Sequence, residues 1–351
     1  MTGTPKDRAG WRLDRAQAEA WLGDLLSAGR SVYAPVERDG MRVFGLVVAP
    51  GDVTLGEGKT RFSPKEYVFP RTETLFRYQL DDSGVTLSDP PPDTTERVLF
   101  AVRPCDAAGL IRLDGMLAGD VFYAARRART VVVTLGCDEP GPECFCTAVG
   151  GAPHGTEGSD VGLLPTPEGI LVRPLTPKGE AVTAISSGGW PAASAADWER
   201  AGERGRAAAA AILRQPIAKE WAARLEASFE SAVWSGIGER CLGCSICAYV
   251  CPSCSCFDVQ DQGGTSCGER CRSWDACSFR QFTAHASGHN PRGDQPARYR
   301  QRLLHKFGYY PARGSGEWMC VGCGRCVSLC PVGIDIHEAV RAVMAAQPEK
   351  R

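Results

Sequence analysis

Cys241-Leu242-Gly243-Cys244-Ser245-Ile246-Cys247-Ala248-Tyr249-Val250-Cys251-Pro252 and Cys320-Val321-Gly322-Cys323-Gly324-Arg325-Cys326-Val327-Ser328-Leu329-Cys330-Pro331 decide the C-terminal part of this chain. Both stretches read C-x2-C-x2-C-x3-C-P, the ligand run of a [4Fe–4S] cluster of the bacterial ferredoxin kind. Spacers of two residues let a short turn wrap three vertices of a cubane. The fourth cysteine points away and, in two-cluster ferredoxins, ligates the other cluster. The expected ligand sets are therefore Cys241, Cys244, Cys247 and Cys330 for one cluster, and Cys320, Cys323, Cys326 and Cys251 for the second. Zinc sites also use C-x2-C pairs. A third cysteine in register and a closing C-P, both occurring twice, argue for iron and sulfide.

Working outward, the connection from Cys251 to Cys320 is far longer than in a compact ferredoxin. It contains a helical pattern at Arg298–Lys306, and a closing helix is expected over His337–Ala346. These features predict an α-helical ferredoxin domain over residues 236–351. Before it, Trp198–Ser235 has helical periodicity, and Ser186–Ala196, rich in Ser, Gly, Ala and Pro, reads as a linker. Residues 186–235 thus form a linker and helical segment.

Residues 1–185 show a strand–helix–strand rhythm. A helix is expected over 12–28, then a hairpin from Ser31–Pro35 to Arg42–Val48 turning at Asp39-Gly40. Short apolar strands follow at Val98–Val102 and Thr130–Leu135, with helices at Ala107–Leu117 and Val121–Arg129. The fold class expected is α+β: a small N-terminal α/β domain followed by a C-terminal α-helical ferredoxin domain with two [4Fe–4S] clusters.

Four further cysteines, Cys105, Cys137, Cys144 and Cys146, lie in the N-terminal domain. Cys105 and Cys137 each sit just beyond an expected strand. Parallel neighbours would bring both thiols to one sheet end, where α/β folds place ligands. Four thiols suffice for a third [4Fe–4S] cluster; the alternative is four small buried apolar side chains. Cys254 and Cys256 follow the first run closely, Cys267 and Cys271 fall in a Gly-rich stretch read as a loop, and Cys277 stands apart. His285 and His289 have the i, i+4 spacing of some zinc sites, but Gly288 and Asn290-Pro291 argue against a helix there. Arg292, Arg298, Arg300, Arg302, His305 and Lys306 form a basic stretch. It is either a solvated helix face, a docking surface for an acidic partner, or positive charge that raises a cluster's potential.

The chain has 351 residues, Lys+Arg 40 against Asp+Glu 41, and 17 cysteines. Near-zero net charge gives no footprint for nucleic acid. No apolar stretch approaches the length of a membrane span, and Met1–Trp11 lacks the apolar core of a secretory signal. The chain is expected in the cytoplasm, where thiols stay reduced. No G-x-G-x-x-G opens a helix after a strand and no P-loop occurs.

These segments together resemble one family, the iron–sulfur subunit common to soluble sulfhydrogenase-type [NiFe] hydrogenases, where it is the beta subunit, and to anaerobic sulfite reductase. The matching residues are Arg103-Pro104-Cys105-Asp106, Gly136-Cys137, Cys144-Phe145-Cys146, Cys251-Pro252-Ser253-Cys254-Ser255-Cys256-Phe257-Asp258, Trp274-Asp275-Ala276-Cys277, His285 to Asn290, and Cys320 to Pro331. Cys267 and Cys271 lie outside the pattern. The resemblance implies a non-catalytic electron-transfer subunit of an oxidoreductase complex. Its partners would be a flavin subunit that handles NAD(P)H and hydrogenase subunits, or a siroheme sulfite reductase subunit. Substrate chemistry would sit on the other chains. An independent iron–sulfur reductase, using Cys254, Cys256 and Cys277, is the rival.

Overall fold

The computed structural model describes residues 10–56, 58–314 and 316–346. The reading of the extreme N-terminus falls outside these residues except at Gly10 and Trp11. The strands are β1 (Trp11–Leu13), β2 (Ser31–Arg38), β3 (Met41–Leu46), β4 (Thr72–Asp81), β5 (Gly84–Ser88), β6 (Arg97–Val102), β7 (Thr130–Leu135), β8 (Val161–Thr166), β9 (Gly169–Pro174), β10 (Phe257–Gly263) and β11 (Cys267–Trp274). The chain divides into two compact units. The first comprises Met1–Pro64, Thr94–Pro216 and Val321–Gly324; the second comprises Lys65–Asp93, Ile217–Cys320 and Arg325–Arg351.

The first unit is built on a mixed seven-stranded sheet in the order β1-β9-β8-β7-β6-β2-β3. Its centre, β8-β7-β6-β2, is parallel; β3 on one side and β9 and β1 on the other are antiparallel. Every residue of β7 is buried, as expected of a parallel strand covered on both faces. The helix Arg15–Ser27 starts at a capping box in which Asp14 accepts from the Gln17 amide and the Gln17 side chain accepts from the Asp14 amide. It places Trp21, Leu22 and Leu25 in one core with Val32, Val98, Phe100 and Val133. Trp21 also donates from Nε1 to the Val182 carbonyl at 3.1 Å, so its one polar atom is satisfied inside the core. Asp39 and Gly40 both take positive φ, 51° and 68°, the requirement of a tight two-residue hairpin turn.

The end of β6 is irregular. Ala101 adopts a left-handed φ of 57° and the register with β7 shifts between Leu99 and Val102. Such bulges re-aim the chain next to functional sites. Here the chain turns into Arg103 and then the helix Pro104–Met116, with Pro104 in its first turn, where a missing N–H costs nothing.

Ser186–Ala196 is irregular apart from a short turn at Ser187–Gly189 until a capping box between Ser194 and Asp197 starts the helix Ala195–Ala210, and the whole stretch lies within the first unit. Local capping sets where the loop-like stretch ends. The second unit holds a four-stranded antiparallel sheet in the order β10-β11-β4-β5. Cys267 and Cys271 therefore lie on β11 and not in a loop. β11 pairs on one side with the adjacent β10 as a hairpin and on the other with β4, which comes from residues far earlier in the chain. Buried Arg272 on β11 donates from Nε to Glu73 on β4 at 2.7 Å. The helices Trp221–Ala227, Val233–Gly238, Gln295–Leu304 and Ile336–Ala345 complete this unit's main elements. Among the described residues no helix is long and apolar enough to cross a membrane.

Candidate metal centre

The two cysteine loops share a backbone solution. In the first, Gly243 and Ser245 take φ of 66° and 62°; in the second, Gly322 and Gly324 take 66° and 73°. Left-handed residues at the same two offsets let each loop curl around a common centre. Ser245, carrying a side chain in that conformation, bears local strain of about 1–3 kcal/mol. Gly324 has no such latitude, because an added Cβ would stand 2.5 Å from the Glu143 carbonyl oxygen.

Cys241, Cys244 and Cys247 line one cavity together with Cys330 and Cys326. The cavity measures about 450 Å³ counted to its open mouth. Two neutral donors face its sulfurs. Gln295 Nε2 donates to Cys241 Sγ at 3.2 Å, and the Ile334 amide donates to Cys330 Sγ at 3.2 Å. The Gln295 amide is oriented in turn by Arg298, whose Nε and Nη2 donate to its Oε1 at 2.9 and 2.7 Å. Burial pushes the Cys247 thiol up, with Arg302 opposing.

Cys251 lies in different surroundings. Lys306 Nζ donates to Cys251 Sγ at 3.3 Å and to Ser253 Oγ at 3.2 Å. Arg302 donates to Cys254 Sγ at 3.7 Å and to the Cys247 carbonyl at 2.9 Å. Lys65 donates to the carbonyls of Cys254 and Ala248, with Trp274 4.1 Å beneath its ammonium. The Cys254 thiol, and then Lys306 and Arg302, hold Cys251 well below the ordinary thiol range against burial. Burial works against the Lys306 ammonium, but Cys251 and Cys254 keep it above its usual value.

Arg298, Arg302 and Lys306 recur every four residues and turn inward, at 8%, 3% and 2% exposure. The basic stretch is thus not simply a solvated face. Arg300 is less buried and lies over the Phe229 ring at 3.6 Å.

These cations test the fit of an iron–sulfur cluster. Lys65, Arg302 and Lys306 are all buried, and their hydrogen-bond partners among the described residues are carbonyls, a hydroxyl and sulfurs, with no carboxylate among them. An isolated buried cation costs several kcal/mol. Neutral thiols do not offset that cost, whereas thiolates on a [4Fe–4S] core carry net negative charge and do. Among the described residues, no three His, Cys, Asp or Glu side chains close around a single metal ion. The donor set suits a cluster.

A second sulfur-lined cavity lies in the first unit. Cys105, Cys137, Cys144 and Cys146 line it with Cys323 and Lys59, and it measures about 520 Å³ counted to its mouth. Arg103 organises its rim. Its guanidinium donates to the carbonyls of Gly56, Gly58 and Gly136, each at 2.8 Å. One buried side chain thereby fixes the segment before Lys59, the end of β7 before Cys137, and the helix start that carries Cys105. Burial pushes the Cys146 thiol up to about 12. Loading metal on that thiol would release a proton.

Residues 240–334 match the family model of the 4Fe-4S dicluster domain. Over 315 residues the chain is 30% identical to "Sulfhydrogenase 2 subunit beta" of Pyrococcus furiosus, a match covering 89% of this chain and 91% of that protein. The chain belongs to the sulfhydrogenase beta-subunit family. It carries a 4Fe-4S dicluster domain and is an iron–sulfur protein.

In this sulfhydrogenase beta-subunit homologue the remaining cysteines separate clearly. Cys254 and Cys277 are buried and Cys256 is half-buried, and the neighbouring Cys277 holds the Cys256 thiol below its ordinary range. Cys271 is buried under Thr74, and Cys267 is exposed. His285 and His289 meet edge to face across a tight turn, with Gly288 at φ 83°. Lys59, Lys65 and Gln295 were not singled out from sequence. Lys59 and Lys65 are remote in the chain from the sulfurs they face, and Gln295 carries no charge or motif to mark it.

Proposed function

We propose that this chain is the electron-transfer subunit of a cytoplasmic multi-subunit oxidoreductase. It relays single electrons between a flavin subunit that handles NAD(P)H and a [NiFe] hydrogenase module. The observation that carries this reading is the trio of buried cations, Lys65, Arg302 and Lys306, facing sulfurs without carboxylate partners among the described residues. The ligand sets are Cys241, Cys244, Cys247 and Cys330 for one cluster, and Cys320, Cys323, Cys326 and Cys251 for the other. Cys105, Cys137, Cys144 and Cys146 would hold a third. Cys330 lines one cavity with the first three cysteines of the first run, in keeping with the crossover, and Cys326 of the other ligand set lines that cavity too. The relative's printed name supports the hydrogenase-type partner.

Bound clusters supply one-electron carriers. The chain's own part is to hold them and set their energies. Lys306 favours added negative charge near Cys251, and Gln295 does so more weakly near Cys241. No general acid or base is required in this chain, because no bond to substrate is made on it.

The test uses the assembled complex. Cys244→Ser or Cys323→Ser should abolish NAD(P)-linked turnover. Dye-linked half-reactions that enter at the catalytic subunit should largely survive. Wild-type NAD(P)-linked rates in those variants would show that electrons bypass these cysteines. Subunit identification in the native complex should find a [NiFe] large subunit; a siroheme protein in its place would move the same relay to sulfite reduction.

A further inference from the structure

We infer that the sulfur-lined cavity of the first unit is an on-path third cluster station, joined to the second cysteine run through Cys323 and charge-tuned by Lys59. The role of the second run rests on the relay reading above; the station itself rests on the geometry of the first unit alone.

Topology assembles the thiols. Cys105 follows β6 and Cys137 follows β7, and these strands are parallel neighbours, so both thiols leave the same sheet end. The loop after β7 brings Cys144 and Cys146 to the same cavity. Lys59 does not extend to solvent. Its Nζ donates to Cys144 Sγ at 3.4 Å, its side chain is 18% exposed, and the carboxylate of Glu143 stands at 3.7 Å. An ammonium aimed at a sulfur favours a thiolate, the form that binds metal.

The contact with the second run is made by backbone. The Phe145 amide donates to the Gly322 carbonyl at 2.8 Å. The Cys144 thiol approaches the Cys323 carbonyl at 3.9 Å. A Cβ on Gly322 would fall 2.5 Å from the Phe145 carbonyl carbon, and one on Gly324 would fall 2.5 Å from the Glu143 carbonyl oxygen. Two glycines are thus required for the loops to touch, and no side chain insulates one cysteine loop from the other. The step is a single reversible electron exchange: the second-run cluster is oxidised by one electron as the third is reduced, with no bond made or broken.

The test takes full-length protein purified without oxygen. Wild type should carry about twelve iron and twelve sulfide, and Cys144→Ala/Cys146→Ala about eight of each. Dithionite-reduced wild type should show spin–spin broadening between clusters in its electron paramagnetic resonance spectrum. The double variant should lose the part of that broadening that involves the third cluster and keep the signals of both cysteine runs. Lys59→Met, which leaves every thiol in place, should retain the iron and lower the midpoint potential of one cluster only. Equal iron and sulfide in wild type and double variant would overturn the station. Iron loss with the broadening of the cysteine-run signals unchanged from wild type would overturn its connection through Cys323. A misfolded double variant leaves Lys59→Met to decide, because an unchanged set of potentials there would also overturn the proposal. Failure of the relay reading shows separately, as NAD(P)-linked turnover that survives Cys323→Ser while the iron count stands.

Discussion

Cys241 and Cys251 open and close the same cysteine run, yet their sulfurs meet different chemistry. Cys241 receives a neutral amide from Gln295, held in place by Arg298. Cys251 receives a buried ammonium from Lys306, with Arg302 and Lys65 close behind. Spacing within a motif determines which residues can be ligands. The charge around each ligand is determined by elements that arrive from elsewhere in the chain. The cluster on Cys251 should therefore sit at the higher potential of the two, because a cation stabilises the more negative reduced state.

The largest effect should come from removing Cys251 itself. Cys251→Ser should eliminate or convert the cluster held by Cys320, Cys323 and Cys326, with up to about four iron lost. The cluster on Cys241, Cys244 and Cys247 should keep its spectrum. Loss of the first-run signal instead would mean that each run ligates its own cluster, and the contrast between Cys241 and Cys251 would then describe two ends of one site.

Next in size is the frame that holds β11 to β4. Arg272 and Glu73 are both buried and paired. Glu73→Gln should leave the guanidinium without its counter-charge and destabilise the protein by about 3–5 kcal/mol. Thermal unfolding of the anaerobic protein measures this. An unchanged midpoint would show that the sheet does not depend on the pair.

Lys306→Met keeps the length of the side chain and removes its charge. The cluster on Cys251 should fall in potential by about 60 mV, a tenfold shift for a one-electron couple. Redox titration followed by electron paramagnetic resonance reads it directly. Movement of both clusters by equal amounts would dissolve the distinction between the two surroundings.

The smallest shift should follow Gln295→Leu. A neutral donor contributes roughly half as much as a charged one, so the cluster on Cys241 should drop by about half the Lys306 effect. A larger drop than in Lys306→Met would reverse the ranking.

Much of this was legible in the sequence. The turn at Asp39-Gly40 and the strands ending before Cys105 and Cys137 follow from local chemistry. So does the convergence of the four N-terminal thiols, given parallel neighbours. The helix expected from residue 12 starts instead at Arg15, after β1 and the Asp14 cap. Pairings over long separations were not legible. β11 reads as a Gly-rich loop because its residues and those of its hairpin partner β10 are mostly polar and glycine-bearing, and its other partner, β4, lies far back along the chain. Arg298, Arg302 and Lys306 looked like candidates for a solvated face because charged residues at helical spacing usually are. Sulfurs beneath Arg302 and Lys306 give those two charges a reason to be buried, and Arg298 is held by the Gln295 side chain and the carbonyls of Arg292 and Gly293. Lys65 carried no local signal, since its site is formed by carbonyls of a distant loop.

The most direct test of the relay is to watch the clusters during turnover. The assembled complex should be mixed with NAD(P)H, frozen at successive times within one turnover, and examined by electron paramagnetic resonance. Both cysteine-run clusters should become reduced before hydrogen is formed, and in Cys244→Ser no hydrogen should form at all. Hydrogen formed at the normal rate while these clusters remain oxidised would show that electrons reach the catalytic subunit by another route.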